Sequence, residues 1–139
     1  NKNLWDSTRE ISTSSPESIS SDYVPTTKTI YDPSPVGYKV PPMAAWSTFT
    51  TTNFVKEIRY NTSGRVFNNK VWFAELGSIK SQNRVLDRGN AGIYFSATPY
   101  HFYCGVDLYF WDSNTSHQLS TGPHLTSDVK AIPIRPILE

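Results

Sequence analysis

Beyond Asn53 the chain alternates apolar and polar positions in short runs. "VWFAEL" (71–76), "GIYFSA" (92–97), "GVDLYFW" (105–111) and "AIPIRPI" (131–137) are rich in β-branched and aromatic residues, and Gly, Asn, Asp and Ser clusters separate them. These runs predict strands. "VKEIRY" (55–60) fits either a strand or part of a helix. Upstream, "TKTIYDPSPVGYKVPP" (27–42) has a short β-prone piece at 29–31, after which Pro33, Pro35 and Gly37 force turns. Pro41 and Pro42 suit the first turn of a helix, and "MAAWSTF" (43–49) brings Met43, Trp46 and Phe49 near one face, so one short helix is predicted. "STSSPESISS" (12–21) reads as a surface loop or linker. No repeat recurs at a fixed period. The expected architecture is one α+β domain over residues 1–139, with a small antiparallel sheet, one or two short helices and long irregular loops. Residues 1–26 form its loop-rich N-terminal segment.

Alternation also assigns faces within "GVDLYFW". Val106, Leu108 and Phe110 share one side of the strand, and Asp107, Tyr109 and Trp111 share the other. An unpaired carboxylate is costly to bury, so the Val, Leu and Phe side is expected to face inward. The Asp107 side is then the outer one, either wet or covered by another loop. In "ATPYHFYCG" (97–105) the consecutive Tyr100, His101, Phe102 and Tyr103 cannot all be core, because one strand face buries only every second residue. Eight of the 19 aromatic residues fall between Tyr94 and Trp111. Of these, Phe95 and Phe110 are assigned to core; the Tyr and Trp rings offer rigid contact area with a polar tip, the chemistry of binding hot spots.

Composition narrows the function classes. A chain of 139 residues is long enough for a core without staples, and 13 basic against 12 acidic residues leave +1 with no basic stripe for a phosphate backbone. Nucleic acid is therefore not an expected partner. No apolar run approaches the ~20 residues of a membrane-spanning helix. The single cysteine, Cys104, excludes an internal disulfide and is expected to be a half-buried free thiol. Starting at Asn1 without Met, the chain is expected to be a processed or excised piece, with upstream domains among its partners.

The order of several separate motifs carries a resemblance. "NLWDSTRE" (3–10), "TKTIYDPSPVGYKVPPMAAWSTFT" (27–50), "FAELGSIKSQNRVLDRGNAGIYFSATPY" (73–100), "GVDLYF" (105–110) and "IPIRPILE" (132–139) together resemble the C-terminal C-type-lectin-like module of fimbrillin-like surface proteins and lipoproteins of Bacteroidales. Ser34 stands where that family usually has Cys, Phe95 where it has Trp, and Ala131 where it has Gly. The resemblance implies a C-type lectin fold, a location on the bacterial outer surface or a phage particle, and a membrane link only through a lipid anchor outside this sequence. It also implies a relation to the variable proteins of diversity-generating retroelements. The corresponding variable stretch is 97–130, and its ligand-binding positions would be Tyr100, His101, Phe102, Tyr103, Asp107, Tyr109, Trp111, Asp112, Asn114, His117 and Gln118. Tyr100, Tyr103, Tyr109 and Trp111 would be the anchors, and Asp107, Asp112, Asn114 and His117 a hydrogen-bonding rim. Pro133 inside the last predicted strand marks it as an edge.

Other chemistries find less support. "WDSN" (111–114) is similar to the calcium motif of sugar-binding lectins, yet calcium takes about six to eight oxygen ligands and only "ATPY" (97–100) lies upstream. His101, His117 and His124 lack a ligand-pair spacing for zinc. No nucleophile elbow or P-loop is present, and Asp107 with Asp112 is an uninformative carboxylate pair. The sequons at Asn61 and Asn114 predict surface loops in a glycosylating host. The expected function is thus a non-enzymatic recognition module without cofactor or metal, binding a protein or glycan on another cell or particle. The alternative is a fimbrial or lipoprotein subunit whose aromatics are buried at an assembly interface.

Overall fold

The structure, a computed structural model, describes residues 27–80, 84–101, 104–112, 117–120 and 131–139, with residues 80, 99–101, 104–106, 112 and 117–120 described by their backbone alone. Among the described residues the strands run β1 (Tyr38–Lys39), β2 (Phe54–Arg59), β3 (Thr62–Phe67), β4 (Val71–Ala74), β5 (Ser78–Lys80), β6 (Arg84–Leu86), β7 (Ala91–His101), β8 (Cys104–Asp112), β9 (His117–Ser120) and β10 (Ile137–Leu138). They form two three-stranded antiparallel sheets, β2-β3-β4 and β7-β8-β9, and two antiparallel pairs, β1-β10 and β5-β6.

Turn chemistry explains the first sheet. Tyr60 and Asn61 (φ 51° and 58°) link β2 to β3, and Asn68 and Asn69 (φ 48° and 57°) link β3 to β4. Two successive left-handed residues match the right-handed twist of a tight hairpin, and Asn tolerates that conformation better than most residues. The ambiguous 55–60 run is therefore a strand. Gly77 (φ 66°) is required where it stands: a Cβ there would lie 1.9 Å from the Leu86 carbonyl oxygen. Its N–H donates to the Ala91 carbonyl at 2.8 Å, which ties the β5 hairpin to the start of β7.

Rings from both large sheets meet in the core. Phe54 of β2 meets Phe110 of β8 edge-on at 4.9 Å, and Phe73 of β4 meets Tyr94 of β7 edge-on at 5.2 Å. Trp46 and Phe49 add edge-on contacts to Phe73 at 6.1 and 5.5 Å, and Leu108 completes the buried cluster. Such pairs contribute about 0.5–1.5 kcal/mol each beyond the area they bury. Arg65 is buried among them, its guanidinium 5.7 Å from the Phe54 ring and 5.6 Å from the Phe110 ring.

Several expectations are corrected here. The helix predicted at 43–49 is only a four-residue 3₁₀ turn, Met43–Trp46, with no side-chain cap at Pro42. Nucleating a helix is costly, and the chain after Ser47 is Thr-rich and drawn into the core by Phe49. Among the described residues no helix reaches seven residues and the fold is mostly β, which overturns both the α+β class and the C-type lectin fold with its one or two helices. The β-prone piece at 29–31 ends in a turn, closed by Asp32 N–H donating to the Thr29 carbonyl at 3.2 Å. The strand predicted at 131–137 shrinks to Ile137–Leu138, and Pro133 lies outside it. Proline still contributes to sheet pairing there, because its carbonyl accepts the Phe95 N–H of β7 at 3.1 Å.

Candidate functional site

The β7-β8-β9 sheet brings several of the sequence-predicted ligand positions together. Register pairs Ala91 with Trp111, Ile93 with Tyr109 and Phe95 with Asp107, while Tyr109 faces Ser120 and Trp111 faces Gln118 on β9. Directly paired residues share a sheet face, so Asp107, Tyr109, Trp111 and Gln118 lie on one side of this sheet. The opposite side carries Gly92, Tyr94, Leu108 and Phe110, and Leu108 and Phe110 are fully buried in the core. That much of the face assignment agrees with the alternation in "GVDLYFW".

The Asp107 side differs from a simple wet face. Asp107 is 1 % exposed, and the Ala91 and Ile93 side chains beside Trp111 and Tyr109 are buried at 0 % and 3 %. Tyr109 and Trp111 are half-buried, as is Phe95, which had been expected to be core. Four consecutive positions, Ala91 to Tyr94, are buried, the mark of a strand covered on both sides. The charge of Asp87, in the turn after β6, acts on the Tyr109 phenol. Burial pushes that phenol's pKa up, and the negative charges of Asp87 and Asp107 push it further. Each of Tyr109 and Trp111 thus has a body held by the sheet and a portion left accessible.

The other predicted positions distribute as follows. Tyr100 and His101 close β7, after register shifts on either side of Pro99. Asp112 and His117 face each other at the end of the β8-β9 ladder. Phe102, Tyr103 and Asn114 lie outside the described residues, as do His124 and most of the 113–130 stretch. Sequence reasoning missed Asp87, which sits in a left-handed conformation (φ 58°) in "LDRG"; an Asp-x-Gly turn between two strand runs was its only signal. It also missed Arg135, whose guanidinium lies over the Phe73 ring at 5.3 Å.

Among the described residues no group of three His, Cys, Asp or Glu stands close enough to hold a metal ion, and no helix is long and apolar enough to cross a membrane. Comparison with known proteins finds no matching family model, no matching curated protein and no matching solved structure.

Proposed function

We propose that this chain is a ligand-recognition module of a surface protein, an adhesin, fimbrial tip or phage receptor-binding domain, whose partner is a protein or glycan on another cell or particle. The observation that carries this reading is the pairing of Tyr109 and Trp111 two residues apart on one face of β8, half-buried, beside buried Asp107. Rings held in this way lose little side-chain entropy on binding. The motif order similar to fimbrillin-like surface proteins supports the location, and the same positions would be the ones a diversity-generating system varies.

A second reading is favoured by a different surface. On β2, which has one strand neighbour among the described residues, Val55 and Ile58 are 50 % and 69 % exposed, with Tyr60 at 93 % in the turn beyond. An apolar edge of this kind suits a subunit that packs against a neighbour in an assembly.

Replacing Trp111 or Tyr109 by Ala and measuring retention on target cells or a glycan array separates the two. The recognition reading expects at least about a tenfold loss of binding with the folding transition retained, since central aromatic anchors are worth ~2 kcal/mol or more. Unchanged binding, or binding lost only with Val55→Lys and Ile58→Lys, rejects it in favour of the assembly role.

A further inference from the structure

A second concave surface lies apart from the β8 face. It is a half-open cleft of ≈ 470 Å³, and among the described residues none of its lining belongs to β7, β8 or β9. Phe49 and Phe67, stacked at 4.0 Å with their planes 12° apart, and Phe73 supply aromatic wall, and Leu138 of β10 contributes aliphatic wall. Among the described residues the lining contains no acidic side chain and one cation, Arg135.

Arg135 is exposed and its guanidinium carbon lies over the Phe73 ring at 5.3 Å. Among the described residues no carboxylate lies within ion-pair distance of it. A guanidinium poised over an aromatic wall keeps its in-plane donors available, and those donors match the two oxygens of a carboxylate. The remaining polar groups of the lining do not compete. The Trp46 indole N–H is itself covered, and the Tyr38 phenol offers a single O–H against the five N–H donors of the guanidinium.

We propose that this cleft binds a small organic acid with an aromatic or branched apolar body, the body resting against the Phe49, Phe67 and Phe73 rings and the carboxylate held by Arg135. Size fits this class. The cleft is at the lower end of the roughly 300–1,000 Å³ of ligand pockets, and about three times the ~150 Å³ that holds a benzene ring. Charge decides between neutral and acidic ligands, because a cation with no carboxylate partner among the described residues discriminates in an apolar cleft by the interaction it gains with an anion and by the desolvation it imposes on a second cation.

The test is calorimetric titration of the whole chain with 3-phenylpropionate, 3-phenylpropionamide and 3-phenylpropylamine. Saturable binding of the acid is expected, with the amide about tenfold weaker or more and the amine weaker still. Arg135→Gln removes an exposed side chain and should bring the acid down to within about twofold of the amide, with the circular dichroism spectrum unchanged. Ala45→Leu narrows the cleft from the 3₁₀ turn and should weaken acid and amide alike. Trp111→Ala should leave all three affinities unchanged, so this site and the β8 face succeed or fail separately. Equal affinity for acid and amide, no saturable binding of the acid, or full affinity in Arg135→Gln would each overturn the proposal. Tighter binding of acetyl-glycyl-phenylalanine than of the free acid would overturn it in favour of a peptide C-terminus.

Discussion

Gly92→Ala tests how the candidate face is held in place. Gly92 lies directly across from Phe110 in the β7-β8 register, and a Cβ there would fall 1.9 Å from Phe110 Cζ and 2.4 Å from Cε1 and Cε2. Carbon atoms in contact sit ~3.5–4.0 Å apart, so the ring would have to retreat by about 1.5–2 Å. Little room exists for that movement. Phe54 stands edge-on at 4.9 Å, Tyr94 is stacked at 6.2 Å and the Arg65 guanidinium lies at 5.6 Å, around a ring that is 0 % exposed. Overpacking costs about 1–3 kcal/mol and occasionally more, and losing the ring's packing altogether costs ~3–5 kcal/mol, so a destabilisation of about 3 kcal/mol or more is expected. Urea unfolding of Gly92→Ala, Phe110→Leu and the double variant supplies the cycle. Phe110→Leu makes room for the methyl group, so the double variant should be more stable than additivity predicts by at least ~1.5 kcal/mol. A Gly92→Ala protein within ~0.5 kcal/mol of the parent, or additive effects, would refute the claim that the Phe110 ring packs on Gly92 and thereby fixes the strand that presents Tyr109 and Trp111.

Three further outcomes follow from buried polar groups. The Tyr94 phenol donates to the Ala74 carbonyl at 2.9 Å, and burial pushes its pKa up to about 12 against the opposing effects of that bond and of Arg135. The folded state therefore holds this proton after the unfolded chain has lost it. Stability should fall between pH 10 and about 12 by up to ~2.7 kcal/mol, and Tyr94→Phe should flatten that decline in urea titrations across the range. Asp32 accepts the Ser34 N–H at 2.8 Å and the buried Val40 N–H at 2.9 Å; Asp32→Ala should cost about 1–3 kcal/mol, and Asp32→Asn less, as read from the urea midpoint. Glu75 is 0 % exposed, and among the described residues neither carboxylate oxygen has a hydrogen-bond partner. Glu75→Met should stabilise the chain by ~1–3 kcal/mol in thermal unfolding while Glu75→Gln does not, because the amide keeps unpartnered polar atoms in the same place.

Local patterns carried a good part of the fold. Period-two alternation located β4, β7 and β8 and turned Leu108 and Phe110 inward, because strand geometry fixes which neighbours share a face. It could not reveal that Ala91, Ile93 and Asp107 on the reverse face are buried too, since burial there depends on segments distant in sequence. Of the two alternatives for the Asp107 side, wet or covered, the 1 % exposure of Asp107 matches the covered one.

By itself the amino-acid order determined the positions of β4, β7 and β8, the absence of a disulfide and the gathering of aromatic residues near β8. All of these are set by a few neighbouring residues. Tertiary structure alone decided that the Pro-led segment at Met43 becomes a 3₁₀ turn, that Arg65 is buried between two rings, and that Arg135 overhangs an apolar cleft. Those outcomes depend on which distant surfaces meet, and the free energy of that meeting is not encoded in any short window of the chain.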